Sequence, residues 1–280
     1  MEAIYRHYGY DFRNYSYPSI RRRIQHRMAM ENLQTVSGLQ ERVLHKPVVM
    51  EKLFKDFTIN VTEMFRDPGF FLAFREKVVP ELKKYPFLRV WHAGCSSGEE
   101  VYSMAILLYE EGLYERTRIY ATDINEEILK KAESGVFPLE KMRRYTRDYI
   151  SSGGNNAFAE YYQVQGKNAI FDPALRRNMV FAAHDLTTDS SFNEFQVIIC
   201  RNVLIYFNYQ LQNHVHELFV KSLSAPGYLG VGSKEGIENF KYESCYECID
   251  HKQKLYRKRG ETNRGEFNRG EFNQGEFNKG

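Results

Sequence analysis

The sequence predicts an α/β protein: a parallel sheet covered on both faces by helices, preceded by an all-helical segment. Two observations carry this. From Leu88 onward, short apolar runs ending in small or acidic residues (LRVWHAG, RIYATD, NMVFAAHD, FQVIIC, GYLGVG) alternate with helical stretches such as Tyr102 to Glu111 and Glu126 to Glu133. That alternation is the pattern of strands buried on both faces. Before Leu88 only helical spacing occurs: Ile20, Ile24 and Met28 lie four apart, and Leu39, Val43, Val49, Leu53 and Phe57 continue in helical steps broken near Pro47.

Taken in order, residues 1–75 are assigned to the helical domain and 76–260 to the sheet domain. A small β insertion is placed near 155–175, where Phe158 to Phe171 (FAEYYQVQGKNAIF) reads as a hairpin turning at Gly166-Lys167. Residues 261–280 differ in kind, running ETNRG EFNRG EFNQG EFNKG. A five-residue period fits neither helix nor strand, and one Phe per unit buries too little to offset the entropy of ordering, so a disordered tail is expected.

Composition narrows the class further. With 42% hydrophobic and 15% aromatic residues the chain can fill a sizeable core. No apolar run reaches the ~20 residues of a membrane span, and MEAIYRHYGY lacks a signal-peptide apolar region, so a cytoplasmic, non-inserted protein is expected, as a monomer. Cys245 and Cys248 form a lone CxxC with no second ligand pair, which argues against a metal site. The net charge of +3 is modest and gives no reason to expect a nucleic-acid partner. It is unevenly placed, however: residues 1 to 30 hold six arginines against two acids, which favours an anionic partner. On a helix from Ser19 with Ile20, Ile24 and Met28 turned inward, Arg22, Arg23 and Arg27 are expected together with His26 on the outer face, either as a solvated surface or as a substrate contact.

The chemistry centres on HAGCSSGEEVYSMA, His92 to Ala105. A glycine turn between strand and helix resembles a phosphate cradle, but phosphate sites use bare N–H groups, and two carboxylates at the helix start would repel the anion. Glu99 and Glu100 therefore either stabilise the helix dipole or face a cationic ligand. The next strand ends in Asp123, suited to a ribose diol or to capping the following helix, and NMVFAAHD ends in Asp185, an acceptor for an adenine amino group. A nucleoside with a cationic amino-acid end, as in S-adenosylmethionine, satisfies the three acidic positions in order. A dinucleotide oxidoreductase would use the same sheet and Asp123 but should carry the GxGxxG turn, which is missing. A protein that keeps the pocket without turnover stays open as an alternative.

From about Tyr5 to Lys258 the chain resembles the chemotaxis receptor glutamate O-methyltransferases, the CheR family. The resemblance rests on FTINVTEMFRD (Phe57 to Asp67), VWHAGCSSGEEVYSMA, ATDIN (Ala121 to Asn125) and CRNVLIYF (Cys200 to Phe207). It implies a Rossmann-like methyltransferase domain with an N-terminal helical domain and a small inserted β-subdomain. It also implies methyl transfer from S-adenosylmethionine, leaving S-adenosylhomocysteine, to glutamate side chains on the helical bundle of a methyl-accepting receptor. Asn60, Thr62 and Arg66 would then reach the cofactor from the interdomain segment, Glu100 would take the ammonium and Asp123 the ribose. Asp185 with Leu186 would frame the adenine, and Arg201 with Asn202 would line the cleft. Arg66 and Tyr206 are expected nearest the transferred methyl. One departure is Gly232-Ser233-Lys234-Glu235, where the family commonly reads Gly-His-Ser-Glu.

Overall fold

The computed structural model describes residues 1–58 and 61–260. The expected disordered tail and Asn60 lie outside the described residues. Four helices come first, α1 (Glu2–Tyr8), α2 (Tyr17–Met30), α3 (Val36–His45) and α4 (Pro47–Phe57). They close on their own small core of Ile4, Phe12, Ile20, Leu39, Val43, Val49, Met50, Leu53 and Phe57. The break between α3 and α4 falls at Lys46, whose extended backbone suits a residue preceding proline, and Pro47 opens α4 where its missing N–H costs nothing.

α5 (Pro68–Lys77) and α6 (Val79–Leu82) are helical as well, yet Phe70, Phe71, Phe74 and Val79 pack into the core of the sheet. The boundary expected at 75 therefore cuts α5; helical spacing reveals a helix but not which core it serves. The remaining elements are β1 (Leu88–Ala93), α7 (Glu99–Glu110), β2 (Thr117–Asp123), α8 (Glu126–Ser134), β3 (Val136–Pro138), α9 (Met142–Ser151), β4 (Tyr162–Gln165), β5 (Asn168–Phe171), β6 (Met179–Ala183), β7 (Phe195–Cys200), α10 (Tyr209–Ser222), β8 (Leu223–Val231), β9 (Tyr246–Asp250) and β10 (Leu255–Lys258).

Seven strands form one sheet in the order β6-β2-β1-β7-β8-β10-β9. The first five are mutually parallel, and the β9–β10 hairpin is added antiparallel to β8. β1 and β7 are buried along almost their whole length, because helices cover both faces. One covering core contains α5 and α7 residues, the other α10 residues. Winding reverses between β1 and β7, which opens a crevice beyond their C-terminal ends, the place where such sheets bind ligands.

The inserted sheet is larger than the hairpin expected from sequence. β4 and β5 turn at Gly166-Lys167, and β3, well before 155, pairs antiparallel with β5. Three residues are too few to show a period. No helix among the described residues is long and apolar enough to cross a membrane, and no cluster of three His, Cys, Asp or Glu suited to a metal occurs among them.

Candidate active site

The turn after β1 is shaped by backbone that ordinary residues avoid. Gly94 has φ 76° and Gly98 φ 89°. A Cβ on Gly94 would lie 2.5 Å from Val203 and one on Gly98 2.9 Å from Ala132, so both positions need glycine for space as well as conformation. Ser96, between them, also has positive φ, as do Phe65, Asp67 and Asn202. Such residues persist only where their surroundings hold them; Ser96 and Asn202 line one cleft, and Phe65 and Asp67 flank its Arg66.

The cleft lies at the crevice between β1 and β7 and, counted out into open solvent, spans about 890 Å³. Asp123 forms its floor at the end of β2, accepting hydrogen bonds from the backbone N–H of Ser96 at 2.9 Å and of Asn125 at 3.0 Å. Burial pushes its carboxyl above the ordinary range, opposed by those N–H groups. With both oxygens anchored, lone pairs remain for a ligand hydroxyl. Asn125 caps α8 through its side-chain oxygen, so the helix has its own cap and Asp123 is available to the cleft. Asp185, raised by burial too, accepts from the Thr187 N–H at 2.8 Å.

The two adjacent glutamates separate. Glu99 turns away, almost fully buried, accepting from the Ser97 hydroxyl at 2.6 Å. Glu100 lines the cleft. One of its oxygens lies 3.3 Å from His92 Nδ1 and the other accepts from Arg201 Nη1 at 2.8 Å. Burial would raise the Glu100 carboxyl, but the Arg201 charge and the His92 contact outweigh it and hold it below the ordinary value. Arg201 also donates to Asp67 at 2.7 Å and to the Arg66 carbonyl at 3.1 Å, and its guanidinium lies 4.3 Å over the Phe70 ring. It thereby ties the end of β7 to the interdomain segment.

Thr62, Arg66, Glu100, Asp123, Asp185, Leu186, Arg201, Asn202 and Tyr206 all line this single cleft. The exception among the expected contacts is α2. Arg27 does not stand on the outer face: it is 9% exposed and clamps Asp56 with two hydrogen bonds of 2.7 and 2.9 Å. Seven residues is about two helical turns, which puts Arg27 back on the Ile20 side. Arg22 is exposed and Arg23 partly so.

Other cleft residues have no role assigned from sequence, although Phe57, Thr58 and Phe207 stand in the motifs that carry the resemblance. Tyr15, Phe57 and Thr58 arrive from the helical segment, and Phe207 from beyond Tyr206. Behind them, buried Glu235 accepts from the N–H groups of Gly232 at 2.6 Å, Asn202 at 2.8 Å and Ile205 at 3.2 Å. The departure at Ser233-Lys234 thus leaves intact the glutamate that staples the 201–207 loop to the end of β8; its two residues are exposed.

A doubly wound sheet that presents carboxylates at three successive places along one crevice defines a nucleoside-binding α/β protein with room for a cationic end. The chain belongs to the CheR methyltransferase family: the family's SAM binding domain matches residues 60–253 and its all-alpha domain residues 1–58. The cofactor is S-adenosylmethionine. Similar proteins include Cher3 of Pseudomonas putida (strain KT2440), named as a methyltransferase, 53% identical over 92% of this chain and 94% of its own. The chemotaxis protein methyltransferase of Listeria monocytogenes (strain EGD-e) is 31% identical over 85% of this chain and 88% of its own. Chemotaxis protein methyltransferase 1 of Pseudomonas aeruginosa (strain PAO1) is 28% identical over 78% and 81%.

Proposed function

We propose that this protein methylates glutamate side-chain carboxylates of methyl-accepting chemotaxis receptors, leaving glutamate methyl esters and S-adenosylhomocysteine. The observation that carries the reading is the gathering of nine expected residues, from the interdomain segment and from the sheet domain, in one cleft. Their chemistry fits the cofactor: Asp123 and Asp185 offer acceptors to the ribose and adenine, with Leu186 beside the base, and Glu100 offers a fixed anion to the ammonium. Arg201 and Asn202 form the facing wall, Thr62 contributes from the interdomain segment, and Asn60 is assigned there by family resemblance alone. When bound, S-adenosylmethionine supplies a methyl group activated by the sulfonium.

The chain's residues then have an orienting task. A glutamate carboxylate, with pKa near ~4.3, is already an anion at neutral pH and needs no base. Arg66, partly buried at the cleft and donating to the Val61 carbonyl at 3.2 Å, is placed to meet that carboxylate. Too tight a pair would stabilise the nucleophile, so its contribution is alignment. Tyr206 presents an electron-rich ring or hydroxyl to the sulfonium side. Exposed Arg22 and partly exposed Arg23 on α2 suit encounter with an acidic helical bundle.

Incubation with methyl-labelled cofactor and receptor-containing membranes tests the reading: label should appear on receptor and be released by base as methyl esters. A protein that binds S-adenosylhomocysteine tightly yet leaves every receptor unlabelled would instead be a cofactor-sensing member of the fold.

A further inference from the structure

We propose that Tyr15, a residue of the helical segment, is a binding residue for the nucleoside end of the cofactor, its hydroxyl donating a hydrogen bond to adenosine. Tyr15 lies between α1 and α2, on a stretch fastened to the loop that closes the cleft. The Ser16 N–H donates to the Tyr206 carbonyl at 2.8 Å, and the Asn208 N–H donates to the Asn14 carbonyl at 2.9 Å. Tyr15 and Phe207 form an antiparallel bridge between these main-chain bonds. The position of Tyr15 is therefore set by the backbone of both segments and not by a rotamer choice at the surface.

Its ring is held as firmly. It packs edge-on against Phe12 at 5.0 Å on the helical side and against Phe207 at 5.0 Å on the sheet side, and it adjoins both of those cores. What remains of the side chain lines the cleft, alongside Asp123, His184, Asp185 and Leu186. Among the described residues the Tyr15 hydroxyl has no hydrogen-bond partner. The hydroxyl is not sealed from solvent, so it is free to exchange water for a ligand group. A ligand in the cleft supplies what the protein does not.

The chemistry selects the nucleoside end. Burial and then the charges of Asp185, Asp123 and Asp11 keep the phenol protonated, so it is a donor. The carboxylates at that end are acceptors and can satisfy only the ligand's N–H and O–H groups. Adenine nitrogens and ribose oxygens need a donor as well, which Tyr15 provides. The ammonium at the other end has no use for one.

Calorimetric titration of the full chain with S-adenosylhomocysteine and with adenosine decides the matter. Tyr15→Phe keeps both ring contacts and should weaken both ligands by a similar factor of about 3 to 10, the range for one neutral hydrogen bond, without lowering the melting temperature of the unliganded protein. Asn14→Ala, which removes the side-chain bond to Asn208 at 3.2 Å but lies outside the cleft, should leave both affinities unchanged. Adenosine bound by Tyr15→Phe as tightly as by the parent overturns the proposal, whether or not S-adenosylhomocysteine is affected. Because Tyr15→Phe is nearly isosteric, the answer does not depend on whether a truncated variant folds.

Discussion

At the scale of single residues, Glu100 is asked to do two things at once. It anchors Arg201 and, in the reading above, receives the cofactor's ammonium. Glu100→Gln should weaken S-adenosylhomocysteine binding by about 1.5–3 kcal/mol, the range for hydrogen bonds to charged groups. Arg201 keeps Asp67, so the fold should survive. Calorimetric titration with unchanged affinity would assign Glu100 to holding Arg201 only. Arg66→Ala and Tyr206→Phe should each lower kcat more than they weaken cofactor binding, with Arg66→Ala also losing some affinity. Single-turnover rates at saturating cofactor check this, since recovery of the parental rate would leave that residue a binding role alone. Glu100, Asp123 and Asp185 are legible in sequence because a strand end followed by a turn is a local pattern. Tyr15 is not, and neither is the part that Phe57 and Glu235 play at the site, since each reaches it only when distant segments cross.

At the scale of elements, α2 shows where a periodic pattern misleads. The stripe Ile20, Ile24, Met28 correctly gives the inward face, but a charged residue two turns along from Ile20 shares that face whatever its polarity. Arg27 tolerates it by a forked pair with Asp56 and a contact of 3.6 Å with Glu31. Removing one partner of a buried pair strands the other charge, so Arg27→Ala should destabilise the protein by about 3–5 kcal/mol in denaturant unfolding. A loss below about 1 kcal/mol would mean that Asp56 finds water or another cation. Arg22 and Arg23 are the pair left to meet a partner. Changing both to Ala should raise the apparent KM for receptor and flatten the salt dependence of the rate, with cofactor affinity unaffected. An identical salt dependence in mutant and parent would return them to a solvated surface. The inserted sheet is half legible for a related reason: its hairpin has a turn signal, whereas the three residues of β3 acquire their role only by pairing with β5.

At the scale of the whole molecule, the core of the helical segment meets the two cores of the sheet at the cleft. Besides the Tyr15–Phe207 bridge, Asn125 Nδ2 donates to the Thr58 hydroxyl at 3.3 Å and Lys55 pairs with Glu127 at 2.7 Å. These contacts are mostly polar, with the Tyr15–Phe207 ring contact among them, and such seams open more readily than a core does. A ligand that touches walls from both sides changes that balance. At a concentration near 100 times its Kd it stabilises whatever must stay closed to bind it by about 2.7 kcal/mol, or ~100-fold in the opening equilibrium. Tyr15, Phe57 and Thr58 belong to those walls as much as Asp123 and Asp185 do. Saturating S-adenosylhomocysteine should therefore slow hydrogen exchange in α4 and in residues 14–16 as well as in β1 and β2. If protection stops at the sheet while the helical segment exchanges at its unliganded rate, the helices open without disturbing the cofactor and serve the methyl acceptor alone. If it extends through α4, cofactor binding is also what sets the helical segment, and with it the arginines of α2, in place for the acceptor.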